Sequence, residues 1–317
     1  MRGSLTVGTA TASPGTRAHG ALSVPGVAVR LPVIVLRGSA PGPTLVITAG
    51  IHGAEYVGIE AAIRAAASLD VAALRGTVIV VPVANPPAFA ARAIGVCPLD
   101  GRNLNRVFPG RPDGTASERI AHTLLTQVIR RADAYVDLHG GDLHEALEPF
   151  VLFCQGAAPE VVAKSRAMAE TFGLGYVVAG GLSGATVEAA SSMGIPAILP
   201  EAGGQGILDE RMVGLHLRGI HRVLAHLDML GSVPEAISAP VPVSEFLWVR
   251  SSSAGLFYPS VSAGQQVSAG QAAGEIRDWF GERIASLSTP AAGVVLFVTT
   301  TLATNPGDPL FAIGVPA

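Results

Sequence analysis

Thr44-Leu-Val-Ile-Thr-Ala-Gly-Ile-His-Gly-Ala-Glu55 is the stretch on which the reading of this chain turns. Thr44 to Thr48 is an apolar, strand-like run, and Glu55 to Leu69 is alanine-rich with apolar residues at helical spacing. A chain that leaves a strand, turns at glycine and enters a helix puts His52 and Glu55 at the carboxyl end of that strand. Ligands collect at such ends in open α/β sheets. An imidazole and a carboxylate three residues apart can converge on one point there. A zinc ion takes such nitrogen and oxygen ligands and needs at least one more from elsewhere. The competing reading is a strand-end histidine beside a helix-starting glutamate that favours the helix dipole.

Outward from this stretch, residues 28–37 and 77–83 are further β-branched runs between Gly/Pro punctuation. Thr115-Ala-Ser-Glu118 opens a helix to about Arg131, with Ser or Thr as its cap. Ala134 to Leu138 reads as a strand, Pro159 to Phe172 as a helix, Ile195 to Leu199 as a strand and Asp209 to Leu230 as a long helix. Strands alternating with helices predict an α/β domain, a mainly parallel mixed sheet flanked by helices. Ser232 to Pro242 is proline-rich and predicts a linker between residues 1–235 and 240–317. Beyond it helical periodicity ends, and an all-β domain is expected. Ala254-Gly-Leu-Phe257 is echoed by Ala292-Gly-Val-Val295, and Gly270 to Ile276 by Gly307 to Ile313. Two β units that each cannot bury a face alone would pack as a small sandwich.

Composition narrows the function classes. The 317 residues are 49% hydrophobic and 14% charged, a globular rather than disordered balance. Mean hydropathy is +0.45, yet no apolar run reaches the ~20 residues of a spanning helix. Thr77 to Val96 comes closest and is broken by three prolines and an arginine. A net charge of −3 without a basic stripe gives no nucleic-acid footprint. Cys97 and Cys154 are the only cysteines, and the first residues lack the apolar core of a secretory signal, so a cytoplasmic protein is expected. The alanine-rich, apolar composition also allows a homo-oligomer.

A third ligand candidate stands in Val136-Asp-Leu-His-Gly-Gly-Asp142, where a lone strand-end histidine could equally be a hydrogen-bonded structural residue. His139 ends a strand as His52 does, and Asp137, two residues back on the same face, can orient its imidazole. Two histidines and a glutamate leave one coordination position open, the catalytic zinc pattern. Glu201 follows another strand and precedes Ala-Gly-Gly204, where a carboxylate can act as base toward water; alternatively it caps a loop. In the polar stretch Leu99 to Gly110, Asn105 and Arg106 pair an amide with a guanidinium that suits a substrate carboxylate, although a solvated loop reads the same. Arg92 is a candidate for polarising a carbonyl oxygen. Asp142, His144, Glu145 and Glu148 read as substrate contacts or a solvated loop. His216, His221 and His226 recur every five residues, too far round a helix to share a metal, and read as surface or satisfied residues.

His52-Gly-Ala-Glu55, Asn85-Pro-Pro, Asn103-Leu-Asn-Arg-Val-Phe-Pro-Gly110, Asp137-Leu-His139 and Pro200-Glu-Ala-Gly-Gly204 together resemble the succinylglutamate desuccinylase/aspartoacylase family, within the zinc carboxypeptidase-like superfamily. The likeness runs over nearly the whole chain in the expected order. It implies His52, Glu55 and His139 as ligands of one zinc ion, Glu201 as general base, and Asn105 and Arg106 as contacts of a substrate's acidic group. Ser253 to Phe257, Gly264 to Gly270 and Ala291 to Leu296 resemble the barrel-sandwich scaffold of biotinyl and lipoyl carriers. No lysine follows Lys164, so the attachment chemistry of those carriers is excluded. The expected activity is zinc-dependent hydrolysis of an amide in a small N-acylated substrate. The alternatives are a zinc carboxypeptidase acting on peptides and a zinc-containing binding protein without catalysis, which would have no use for Glu201.

Overall fold

A computed structural model describes residues 3–231 and 238–317. The chain begins with a two-stranded ribbon, β1 (Leu5–Val7) and β2 (Ala10–Ala12). β3 (Thr16–Ser23), β4 (Arg30–Arg37), β5 (Ala40–Ala49), α1 (Tyr56–Ser68), β6 (Arg75–Val81) and α2 (Pro86–Ala91) follow. Next come α3 (Ala116–Gln127), β7 (Ala134–Leu138), β8 (Glu145–Leu147), β9 (Phe150–Cys154), α4 (Pro159–Phe172) and β10 (Tyr176–Gly180). α5 (Thr186–Ser192), β11 (Ala197–Glu201) and α6 (Glu210–His226) complete the mixed part. The rest is strand: β12 (Val241–Arg250), β13 (Gly255–Pro259), β14 (Gln266–Val267), β15 (Ala272–Arg277), β16 (Arg283–Ser288), β17 (Gly293–Thr299), β18 (Ala303–Thr304) and β19 (Pro309–Pro316).

One mixed sheet runs β3-β4-β6-β5-β7-β11-β9-β10. Its centre, β6-β5-β7-β11, is parallel, and β9 runs against β11. Residues alternate between faces along each strand. Leu45, Ile47, Val136 and Leu138 join a core with residues of α1, α4 and α6. Val46 and Tyr135 join a second core with residues of α3 and α5. Burial on both faces explains why β5 reads as a continuous apolar run from Leu45 to Ile47 and why β7 is apolar apart from Asp137.

The expected elements are present with shifted ends. The strand expected at 195–199 is β11, which extends to Glu201 and so makes that residue the strand's last. The helix expected to reach Leu230 stops at His226, where the chain turns through Asp228 at φ 55°. The helix from Thr115 ends at Gln127 and is followed by a 3-10 turn, Ile129–Arg131. Of the linker expected at 232–242, residues 232–237 lie outside the described residues, while Val241 and Pro242 already belong to β12.

The C-terminal strands extend the main sheet. β12 pairs parallel with β10, and the sheet continues through β19, β17 and β14. A separate four-stranded sheet, β16-β15-β13-β18, shares a core with it, in which Phe257 and Ile276 join Val295, Phe311 and Ile313. The internal repeat maps onto two antiparallel pairs, β13 with β15 and β17 with β19, one in each sheet. β17 also pairs with β8, three residues of the segment that follows His139.

Helix α3 opens on a complete capping box. Glu118 N donates to Thr115 Oγ1 at 3.5 Å and Thr115 N to Glu118 Oε2 at 2.8 Å. Thr115→Ala is expected to cost about 1 kcal/mol of stability, read as a lower denaturant midpoint at unchanged slope. An unshifted midpoint would show that the box contributes nothing.

Candidate metal centre

β5, β7 and β11 are parallel neighbours, so their carboxyl ends lie side by side. Thr48 pairs with Asp137, Val136 with Ile198, and His139 bridges to Glu201 just past the ladder. His52 follows the turn after β5. Gly53 is required there, because a Cβ at that position would stand 2.1 Å from Phe89 N inside α2. Asn85 fastens the same corner by capping α2 and donating from Nδ2 to Ile51 O at 3.1 Å.

His52, Glu55 and His139 each offer one ligand atom within 4.8 Å of the others. Glu55 occupies the cap position of α1, yet its side chain makes no capping bond. Its Oε1 stands 2.6 Å from His52 Nδ1, its Oε2 2.8 Å from His139 Nδ1, and Oε2 also accepts from Gly140 N at 3.3 Å. Glu55 thus does start α1, but its carboxylate is turned to the two imidazoles. Each imidazole has an acceptor at its other nitrogen. His52 Nε2 meets Asn103 Oδ1 at 3.1 Å, and His139 Nε2 meets Asp137 Oδ2 at 3.0 Å. Those acceptors take the Nε2 protons and turn both Nδ1 atoms toward Glu55, where either a proton or a metal ion can sit. Three electron-pair donors converging in a buried space need a positive charge between them, and the donor set fits a divalent metal ion.

The electrostatics follow from that convergence. Burial alone would raise Glu55, but the His139 and His52 charges outweigh it and hold the carboxyl at about 2. Burial works against a charged His139, yet the Glu55 and Asp137 carboxylates raise it well above the usual imidazole range. Asp137, fully buried, is itself held from both sides. Thr48 Oγ1 donates to Oδ1 at 2.5 Å and Thr186 Oγ1, at the start of α5, donates to Oδ2. Tyr135 OH lies 2.6 Å from Thr48 Oγ1, whose proton is already committed to Asp137, so the phenol donates.

Glu201 ends β11, with its backbone bridged to His139. Its Oε2 is buried and has no hydrogen-bond partner among the described residues, so it does not cap a loop. Burial and then the neighbouring Glu55, Glu145 and Asp137 charges push its carboxyl well above the usual range, against the pull of His139. The Asn105–Arg106 pair is split. Asn105 is buried, with Nδ2 3.5 Å from His139 Nε2 and Oδ1 accepting from Thr186 N at 2.9 Å. Arg106 is exposed and donates to Asn105 O at 2.8 Å. Arg92 is exposed at the end of α2, in left-handed backbone at φ 52°, with no side-chain hydrogen bond to a described site residue.

Three supports were not read from sequence. Asn103 orients His52, and Thr186 steadies Asp137; both were hidden because their partners are 51 and 49 residues away. His216, read as surface or satisfied, is fully buried and donates from Nε2 to His139 O at 3.1 Å. Burial pushes its imidazole down to about 4, so it is neutral. Asp142 is not a solvated loop residue, since both carboxylate oxygens accept backbone N–H groups.

The family model for the succinylglutamate desuccinylase/aspartoacylase catalytic domain matches residues 41–227. The chain belongs to this family. The match holds every site residue from His52 to Glu201 and stops before β12. A relative, the N-alpha-acetyl-L-2,4-diaminobutyric acid deacetylase of Halomonas elongata, is 30% identical over 303 residues, covering 90% of this chain and 86% of that one. A succinylglutamate desuccinylase/aspartoacylase structure from Rhodobacter sphaeroides superposes with a TM-score of 0.85 at 29% identity, over 100% of this chain and 96% of that one. The product-bound ectoine utilization protein EutE (DoeB) from Ruegeria pomeroyi gives 0.84 at 27% identity, over 95% of each chain.

Asn103→Ala removes the acceptor that fixes the His52 tautomer. Metal affinity is expected to fall roughly 10- to 100-fold, measured by competition with a chelating dye. Unchanged affinity would deny Asn103 that role.

Proposed function

We propose that this protein is a zinc-dependent amide-bond hydrolase that removes the acyl group from an N-acyl amino acid or a related small molecule. The observation that carries the reading is the buried, unpartnered Glu201 Oε2 beside a His-Glu-His donor set. Family membership and the deacetylase relative support the same reaction class. His52 Nδ1, Glu55 and His139 Nδ1 would hold the zinc ion. When bound, zinc supplies charge that polarises an amide carbonyl and makes water more acidic.

The remaining chemistry belongs to the chain. Glu201 takes the proton of the attacking water and later gives it to the departing amine nitrogen. It suits both halves of that task, since burial favours its neutral form and a nearby cation its charged form. Asp137 and Asn103 keep the two imidazoles in the tautomer that leaves Nδ1 free. Arg106, exposed beside the site, and the Asn105 amide next to His139 hold an anionic group of the substrate. Arg92 is assigned to the developing oxyanion, a role that requires its side chain to turn inward on binding.

The relative's substrate is a small acylated amino acid, which favours a small-molecule deacylase over a peptidase. The division into a catalytic unit, 1–235, and a C-terminal barrel-sandwich unit, 240–317, belongs to the same reading. So does a cytoplasmic setting, supported by the two free, buried cysteines.

Metal analysis and a panel of acetyl, succinyl and longer N-acyl amino acids test the proposal. Chelation should abolish turnover and added zinc restore it. Glu201→Gln should keep the metal and lose turnover by roughly 10²- to 10⁴-fold. A zinc-loaded Glu201→Gln protein with full turnover would defeat the base assignment.

A further inference from the structure

We propose that Asp142 is a positioning residue for substrate binding, the side chain that fastens an apolar rim around Gly95 to the loop carrying His139. The proposal rests on the deacylase reading above. Asp142 lies three residues past His139 and is buried. Its Oδ2 accepts from Gly95 N at 2.6 Å, across 47 residues of sequence, and its Oδ1 from Leu143 N at 2.7 Å. Its backbone N donates to Glu145 Oε2 at 2.9 Å, and its backbone O accepts from Gln205 N at 2.9 Å. One residue therefore joins three loops: the segment after α2, the segment after β7 and the turn beyond Glu201.

The tethered segment is apolar where solvent reaches it. Ile94 and Val96, on either side of the tied amide, are 46% and 40% exposed. Gly95 itself is left-handed at φ 63°, a tight turn rather than a strand edge. Two exposed aliphatic side chains on a turn pinned to a metal-ligand loop suit the aliphatic portion of an acylated amino acid. Without the carboxylate, Gly95 N–H loses its acceptor, and the rim must be ordered by the substrate at the expense of affinity. The His52, Glu55 and His139 side chains have their own partners, and Glu201 is held by the pairing of β11, so none of them needs this tie.

The pair of backbone donors also explains why the residue is an aspartate. A carboxylate accepts at both oxygens, whereas an asparagine would turn an N–H₂ toward one of the two N–H groups. D142N should therefore lie between the wild type and D142A.

The test compares zinc-loaded wild type, D142N and D142A on the N-acyl amino acid that the wild type turns over fastest. Zinc content and amide exchange over residues 93–97 are measured alongside. In D142A, KM is expected to rise roughly tenfold or more, the size of a lost hydrogen bond to a charged group. D142N should show a smaller rise. Zinc content and kcat should hold, and Gly95 should exchange faster. A merely structural role would lower the melting temperature and leave KM alone, which overturns the proposal. So does unchanged exchange at Gly95, or activity lost only in step with zinc. If the wild type hydrolyses no N-acyl amino acid, the deacylase reading falls and takes this one with it. An active wild type matched by D142A and D142N sinks this one alone.

Discussion

Parallel pairing of β5, β7 and β11 is the constraint on which the centre depends. Because the three strands run the same way in adjacent positions, the chain leaves all of them at one edge, and His52, His139 and Glu201 emerge within reach of each other. A register slip of one residue in β7 would carry Asp137 and His139 to the opposite face and put Val136 and Leu138 in their place. The two cores prevent it: the α1, α4 and α6 side accepts only the apolar set, while the α3 and α5 side takes Tyr135 and leaves Asp137 to Thr48 and Thr186. Packing on both faces thus decides which way the chemistry points.

Concentrating so many ionisable groups in a buried space is costly unless each has a role or a partner. Glu55 faces two imidazoles, His139 lies between two carboxylates, and Asp137 accepts from two hydroxyls and an imidazole. His216 remains neutral and lends its proton to the backbone of His139. Glu201 stands apart, with a buried oxygen that finds no partner within the described chain. Glu201 Oε2 is the one carboxylate oxygen among the buried side-chain atoms of the described residues that lack a partner, which makes it a candidate for chemistry.

Much of this was legible in the residues. The strand-turn-helix pattern around His52, the strand end at His139 and the glycine turn after Glu201 are local signals, and each marks the carboxyl end of a strand. The cap at Thr115 and the apolar run of β5 are equally local. What stayed hidden is what depends on distant partners. Asn103 is an ordinary loop asparagine until the fold brings it to His52. Asn105 and Arg106 are adjacent in sequence but part company in space because a 3-10 turn buries one and exposes the other. The internal repeat was visible; that its two halves fall into different sheets, one of them an extension of the catalytic sheet, could not be read from spacing.

That extension bears on how the molecule is made. As the chain leaves the ribosome, β10 is complete long before β12 exists, and until then its outer side is an open row of peptide groups at the end of a hydrophobic sheet. The nascent protein passes through an interval in which its main body is formed but one flank is adhesive, and β8 lacks its mate as well. Truncated products would keep that flank for life, making them prone to clump rather than act as smaller enzymes.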